Sequence, residues 1–359
     1  MNFGGGQGYG RIPLIDLDNL GDPRRTKKIF SKTYFGLFIY LVATYASLFI
    51  AEIAILLIAG EEKCASILSS PVYSLIISSV CQYAVGFPLF LLLTKKIECA
   101  KEKSKSTLPA AHLFYSFLAC QALMLIGNFI GLFFNGIIES LSGRAPENAV
   151  DALVNGTPVW LLFITVVIIA PLVEELVFRK IMIDRLSIFG DRTAILYSAV
   201  AFGIFHGNFY QIFYAFFVGL VLGYVYTRTR NLWYNVGLHA LLNFLGSVVS
   251  IYVSRAATRI NEIIEISKEG GAVNRLEYGF LVSASAAYSL FIMLAFVGGA
   301  IVLGIFLFKR GFYSISNQSE IYIPRGKTFA YATLNLGAIL FYITICVIIL
   351  ANLILPLIS

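Results

Sequence analysis

The sequence predicts an all-α membrane protein, a polytopic helical bundle of about nine spans. Three observations carry this reading. Of 359 residues, 58% are hydrophobic and 13% charged, where a soluble chain carries about 25% charge. Apolar runs recur along the whole length, most of them near the ~20 residues that a helix needs to cross a bilayer. Basic residues gather in alternate loops between these runs. No stretch outside the runs is long enough for a separate globular core, and no internal repeat is visible.

Residues 1–33 read as a polar cytosolic tail. The opening Met1–Gly10 is glycine-rich and lacks the apolar core and small-residue cleavage site of a signal peptide. Three N-terminal spans follow within 34–138, at 34–58, 67–94 and 113–138. The stretch 158–252 holds four more, at 158–177, 194–206, 211–227 and 232–252. Of these, 194–206 and 211–227 are short and separated only by Gly207, Asn208, Phe209 and Tyr210. They work as a pair only if they form a tight hairpin. An outer loop, 253–278, carries Ile260, Ile263, Ile264 and Ile266 among charges and predicts a short amphipathic helix on the outer leaflet. Two C-terminal spans, 279–308 and 328–357, complete the region 279–359.

Charge sets the orientation. Arg24, Arg25, Lys27, Lys28 and Lys32 precede the first span, Lys95 to Lys105 follow the second, and Arg179 to Arg192 follow the fourth. Arg228 and Arg230 follow the sixth, and Lys309 to Lys327 separate the last two. The intervening loops are acidic or balanced, so the N-terminus is expected in the cytosol. Hence the net charge of +7 marks membrane orientation, and no nucleic-acid partner is indicated. Cys64, Cys81, Cys99, Cys120 and Cys346 lack CxxC spacing, so neither a disulfide framework nor a cysteine metal site is expected. Cys81, Cys120 and Cys346 should pack as small hydrophobes.

Against this apolar background a few ionisable groups stand out. Glu174, Glu175 and Arg179 lie in Pro171-Leu-Val-Glu-Glu-Leu-Val-Phe-Arg179, after an uncharged run. His206 closes another run, and His239 with Asn243 lies inside a third. A charge at bilayer depth costs about 2.5–3.5 kcal/mol on insertion scales, and such residues usually face the bundle interior and serve function. Glu175 and Arg179 are four apart and share a helical face. Glu174 is rotated about 100° away and is left without a local partner, which suits a general base. Phe202 and His206 are likewise four apart, as are His239 and Asn243. Two carboxylates, an arginine, two imidazoles and an amide are the parts of a water-activating hydrolase. They share one depth only if the fourth helix continues past Arg179 to about Phe189. His112, at the edge of the third span, reads as interfacial, and Glu52 as a residue reaching the outer interface.

Glu-Glu-x-x-x-Arg, Phe-x-x-x-His and His-x-x-x-Asn, in that order on three spans, resemble the CPBP family of CAAX-processing and bacteriocin-processing membrane proteases. The resemblance covers about residues 158–246. It implies an intramembrane endopeptidase in which Glu174 activates water with help from His206. It further implies that Glu175 and Arg179 support the site and that His239 and Asn243 contact the oxyanion. The family has been described both as glutamate proteases and as metalloproteases. With neither His-Glu-x-x-His nor Gly-x-Ser-x-Gly in the sequence, a metal-independent glutamate mechanism without cofactor is expected. A zinc site built from Glu174, His206 and His239 is the alternative.

The expected partners are the lipid bilayer and a membrane-associated peptide or protein substrate reached from the cytosolic side, and the compact loops point to a bacterial plasma membrane. A non-catalytic immunity or scaffold protein of the same fold is the competing reading. A transporter is a third, although no broken helix pair in matching halves supports it.

Overall fold

A computed structural model describes residues 22–101, 103–144, 156–309, 311, 315, 319–324 and 326–358. Among these residues the protein is an all-α bundle. Eleven helices follow in order. They are α1 (Pro23–Ala59), α2 (Glu61–Leu68), α3 (Pro71–Thr94), α4 (Ala110–Ser142), α5 (Val159–Phe189) and α6 (Asp191–Phe205). Then come α7 (Phe209–Thr229), α8 (Leu232–Lys268), α9 (Arg275–Phe308), α10 (Thr328–Thr333) and α11 (Leu336–Ile358).

Eight helices are long and apolar enough to cross a membrane: α1, α3, α4, α5, α7, α8, α9 and α11. The chain is an integral multi-pass membrane protein. The ninth expected span, α6, has 15 residues and reaches only about 22 Å at 1.5 Å per residue, short of the ~30 Å hydrocarbon core. α6 and α7 pack against each other as a hairpin. The hairpin turn is encoded locally. Gly207 takes φ +67° directly after His206, the left-handed conformation that ends a helix at glycine. Asn208 then caps α7 by accepting the Gln211 N–H.

Two other boundaries differ from expectation. The basic stretch of the supposed tail is helical, since α1 starts at Pro23 with Asp22 as its cap. Residues 1–21 and 145–155, the latter within the stretch read as an outer loop, lie outside the described residues. The separate amphipathic helix expected near 254–277 is instead the continuation of α8, which runs to Lys268. Its apolar stripe packs on α9, with Ile263 buried, and Arg259 bridges to Glu277 at 2.7 Å. Ile260 and Ile264 are half-buried and Ile266 is exposed, so the stripe is covered in part.

Tight helix crossings rest on small residues. Gly127 and Gly131 of α4 abut the backbone of Tyr214 and Phe209 in α7, and Gly337 of α11 abuts Ser31 of α1. Of the three cysteines placed in apolar runs, Cys81 and Cys120 are buried, but Cys346 is exposed on the outer face of α11, where lipid replaces protein packing.

At the end of the bundle that carries Asp184 and Asp191, arginines tie the helices together. Arg230, in left-handed backbone at φ 50°, reaches Asp184 at 3.2 Å and Asp191 at 2.6 Å. Tyr226 also donates to Asp184, at 3.0 Å. This clamp joins the end of α5, the start of α6 and the α7–α8 turn. Arg185 ties α5 to α3 by donating twice to the Thr94 carbonyl, at 2.6 and 3.1 Å.

Candidate active site

The fourth span continues from Val159 to Phe189, as convergence requires. Glu174 therefore lies 15 residues before its C-terminal end, and His239 seven residues after the start of α8. The two side chains nonetheless meet, with His239 Nε2 3.7 Å from Glu174 Oε2.

The helices here are not regular. Wide, π-type turns occupy Phe163–Ile169 and Leu176–Ile183 on either side of the two glutamates, and Phe244–Val249 directly after Asn243. A fourth, Cys81–Gly86 in α3, carries Gln82 and Tyr83. Such turns are frequent at functional sites, and two have a visible cause. Pro88 and Pro171 follow the first and second by residue number of the turns in α3 and α5, and a proline ring clashes with the carbonyl four residues back. In α5 the register is wide, with Ala170 N–H bonded to the Thr165 carbonyl. The next carbonyl, Val166, would need the N–H that Pro171 lacks. Asn243 supplies it from α8, donating through Nδ2 at 2.9 Å.

Glu175 is the anchor of the site. It is fully buried and faces Arg179 Nε at 3.0 Å, His239 Nδ1 at 2.8 Å and Asn235 Nδ2 at 3.3 Å. Arg179, equally buried, also stacks on the Phe202 ring, 4.4 Å from its centroid. Phe202 meets both imidazoles edge-on, with centroids 5.1 Å from His206 and 5.7 Å from His239. The phenylalanine of Phe-x-x-x-His is thus the floor on which the arginine and both histidines rest. Placing a paired charge there avoids the several kcal/mol of an uncompensated buried ion.

Glu174 differs from its neighbour. Its side chain is 18% exposed against 0% for Glu175, and its nearest basic group is His239 Nε2 at 3.7 Å. His206 lies within electrostatic reach of both Glu174 and His239. Its Nδ1 sits 2.8 Å from the Phe202 carbonyl. A carbonyl only accepts, so the hydrogen is on Nδ1 and the neutral ring presents the Nε2 lone pair. The same logic applies to His239, whose Nδ1–H is taken by Glu175. It can donate from Nε2 only when doubly protonated, which narrows the choice of tautomers open from sequence.

All six expected residues therefore fall in one region, but Asn243 has one N–H committed to Val166. Two imidazoles with Nδ1 held by a carboxylate and a carbonyl resemble the outer-shell arrangement of metal-binding histidines. Among the described residues, however, no three of His, Cys, Asp or Glu are grouped as a metal site. Glu52 is exposed near the C-terminal end of α1, and His112 is exposed at the start of α4, away from this cluster.

Several residues escaped the sequence reading. Asn235 stands one turn before His239 and also donates to the Leu222 carbonyl at 2.6 Å; its i, i+4 spacing from His239 in an apolar span was the available signal. Tyr40, Tyr83 and Tyr214 come from three helices to within electrostatic reach of Glu174, and nothing local in their sequence marks them. The last span also reaches the site, as Asn352 donates to the Gly207 carbonyl at 3.1 Å.

Residues 156–245 match the family described as type II CAAX prenyl endopeptidase Rce1-like. A relative in Bacillus subtilis (strain 168), the candidate membrane peptidase YdiL, is 29% identical over 157 residues. That match takes in 39% of this chain and 62% of the relative, so the chain spans under two thirds of the protein it matches. No solved structure matches. All three motifs lie in order inside the matched segment, on helices that meet around Glu175 and Phe202, so the site residues and the likeness to CAAX-type membrane proteases fall on the same stretch of chain.

Proposed function

We propose that this protein is an intramembrane endopeptidase in which Glu174 is the general base. The observation that carries the reading is the division of labour between adjacent carboxylates. Glu175 is fully buried against Arg179, His239 and Asn235, whereas Glu174 keeps an accessible face. A water held by Glu174 and by the His206 Nε2 lone pair has both hydrogens engaged, which leaves an oxygen lone pair for attack. Glu174 takes a proton as the C–O bond forms, and returns it to the departing amine as the C–N bond breaks. The remaining Asn243 N–H and a protonated His239 supply donors for the oxyanion, and a single such donor contributes about 10²–10³ in rate.

The substrate is a peptide segment of a membrane-associated peptide or protein, entering from the cytosolic side. The name of the bacterial relative as a membrane peptidase agrees with this class. The alternative of a non-catalytic scaffold has no use for a partly open Glu174 beside two oriented imidazoles. A comparison of protein termini in membranes carrying the intact chain or Glu174→Gln tests the proposal. New termini are expected only with the intact chain, and cleavage should fall by about 10²-fold or more in the variant. Identical termini in both would refute it.

A further inference from the structure

Beyond the family motifs, a directional ladder of side chains runs along the first turns of α7. It begins at the backbone, where the Gln211 N–H donates to Asn208 Oδ1 at 3.0 Å. That bond fixes the Asn208 carboxamide, so its Nδ2 is the donor to the His206 carbonyl at 3.0 Å and to Gln211 Oε1 at 2.6 Å. Gln211 is fixed in turn, and its Nε2 donates to the Tyr214 hydroxyl oxygen at 2.9 Å. Amide nitrogens only donate and carbonyl oxygens only accept, so every rung has one sense. A phenol that accepts in this way still has its own hydrogen to give.

Position and demand agree with that sense. One rung of the ladder ends on the carbonyl of His206 itself. Tyr214 is partly buried, its backbone is braced against Gly127 of α4, and it lies within electrostatic reach of the Glu174 carboxylate. Donors are otherwise scarce. One Asn243 N–H holds the Val166 carbonyl, and the Nδ1–H of His239 holds Glu175.

We propose that Tyr214 is a further catalytic donor, held by the Asn208–Gln211 ladder with its hydroxyl hydrogen directed to the oxyanion that develops on the scissile carbonyl. The assignment rests on the endopeptidase reading above. No additional covalent step is involved, because the phenol keeps its proton and the hydrogen bond strengthens as charge builds on the carbonyl oxygen.

The test uses the purified full chain in proteoliposomes. The probes are a farnesylated, internally quenched peptide ending in a CAAX sequence and a pool of quenched unmodified peptides. Tyr214→Phe keeps the ring and should lower kcat by about 10²-fold, with KM within about twofold of the intact chain. Gln211→Leu leaves the hydroxyl but releases it, and kcat should fall by about tenfold. Unfolding midpoints of both variants should match the intact chain. If Tyr214→Phe keeps full kcat while Glu174→Gln is inactive, the Tyr214 assignment fails and the protease reading stands. A loss in Tyr214→Phe that tracks a lowered unfolding midpoint also overturns it. If the intact chain cleaves no more than Glu174→Gln, the protease reading fails and takes this assignment with it.

Discussion

Asn243 offers a way to separate what a motif residue does for the fold from what it does for the reaction. Pro171 has no N–H, and the wide register of α5 leaves the Val166 carbonyl facing it. Asn243 Nδ2 fills the gap at 2.9 Å. In Asn243→Ala that part-buried carbonyl loses its side-chain donor. An orphaned buried acceptor costs about 1–3 kcal/mol, while interhelical hydrogen bonds measured in a membrane protein average about 0.6 and reach about 1.7. A destabilisation of about 1–2 kcal/mol is therefore expected. Pro171→Ala restores a backbone N–H to α5. In that background the further cost of Asn243→Ala should shrink to the additivity error of about 0.5 kcal/mol. Denaturation titrations in mixed micelles of the four members of the cycle measure the coupling. An equal cost of Asn243→Ala in both backgrounds would refute the argument that the side chain compensates for the proline.

Three other outcomes follow from the same structure. Glu175→Gln removes the anion facing Arg179, His239 and Asn235 and should cost about 3–5 kcal/mol in the same titration; a loss under about 1 kcal/mol would show that Arg179 finds another partner. Charge bias places residues near 100, 187, 229 and 318 in the cytosol and those near 62, 148 and 265 outside. Single cysteines introduced at these positions in a cysteine-free chain should label accordingly, and cytosolic labelling at 148 would overturn the topology. Finally, prolonged treatment with a strong chelator should leave cleavage intact, whereas loss of activity in step with about one zinc per chain would establish the metal-dependent alternative.

What the sequence determined alone is whatever depends on composition and on residues within one helical turn. Mean hydropathy of +0.81 and recurrent apolar runs dictate a helical membrane bundle, because lipid leaves the backbone no other way to satisfy its polar groups. Four-residue spacing dictates that Glu175 meets Arg179 and that His239 and Asn243 share a face. Gly207 and Asn208 dictate the sharp turn after His206, through a left-handed cap and an N-cap. Helix ends were less legible: α6 proved too short to cross by itself, and α8 ran on through the stretch read as a separate amphipathic helix.

Only the tertiary structure could decide the contacts made across helices. Asn235 joins Glu175 from 60 residues away, Asn352 reaches Gly207 from 145, and Asn243 meets a carbonyl 77 positions earlier. Each is an ordinary amide in an apolar run, and its partner is a backbone group or carboxylate that no local pattern reveals. The tyrosines around Glu174 are equally silent in a chain with 20 of them. Their place depends on how α1, α3 and α7 pack against α5. That packing is decided by small residues at helix crossings and by the arginine–aspartate clamp, since long-range docking in a bilayer follows close fit and polar pairing rather than hydrophobic pattern.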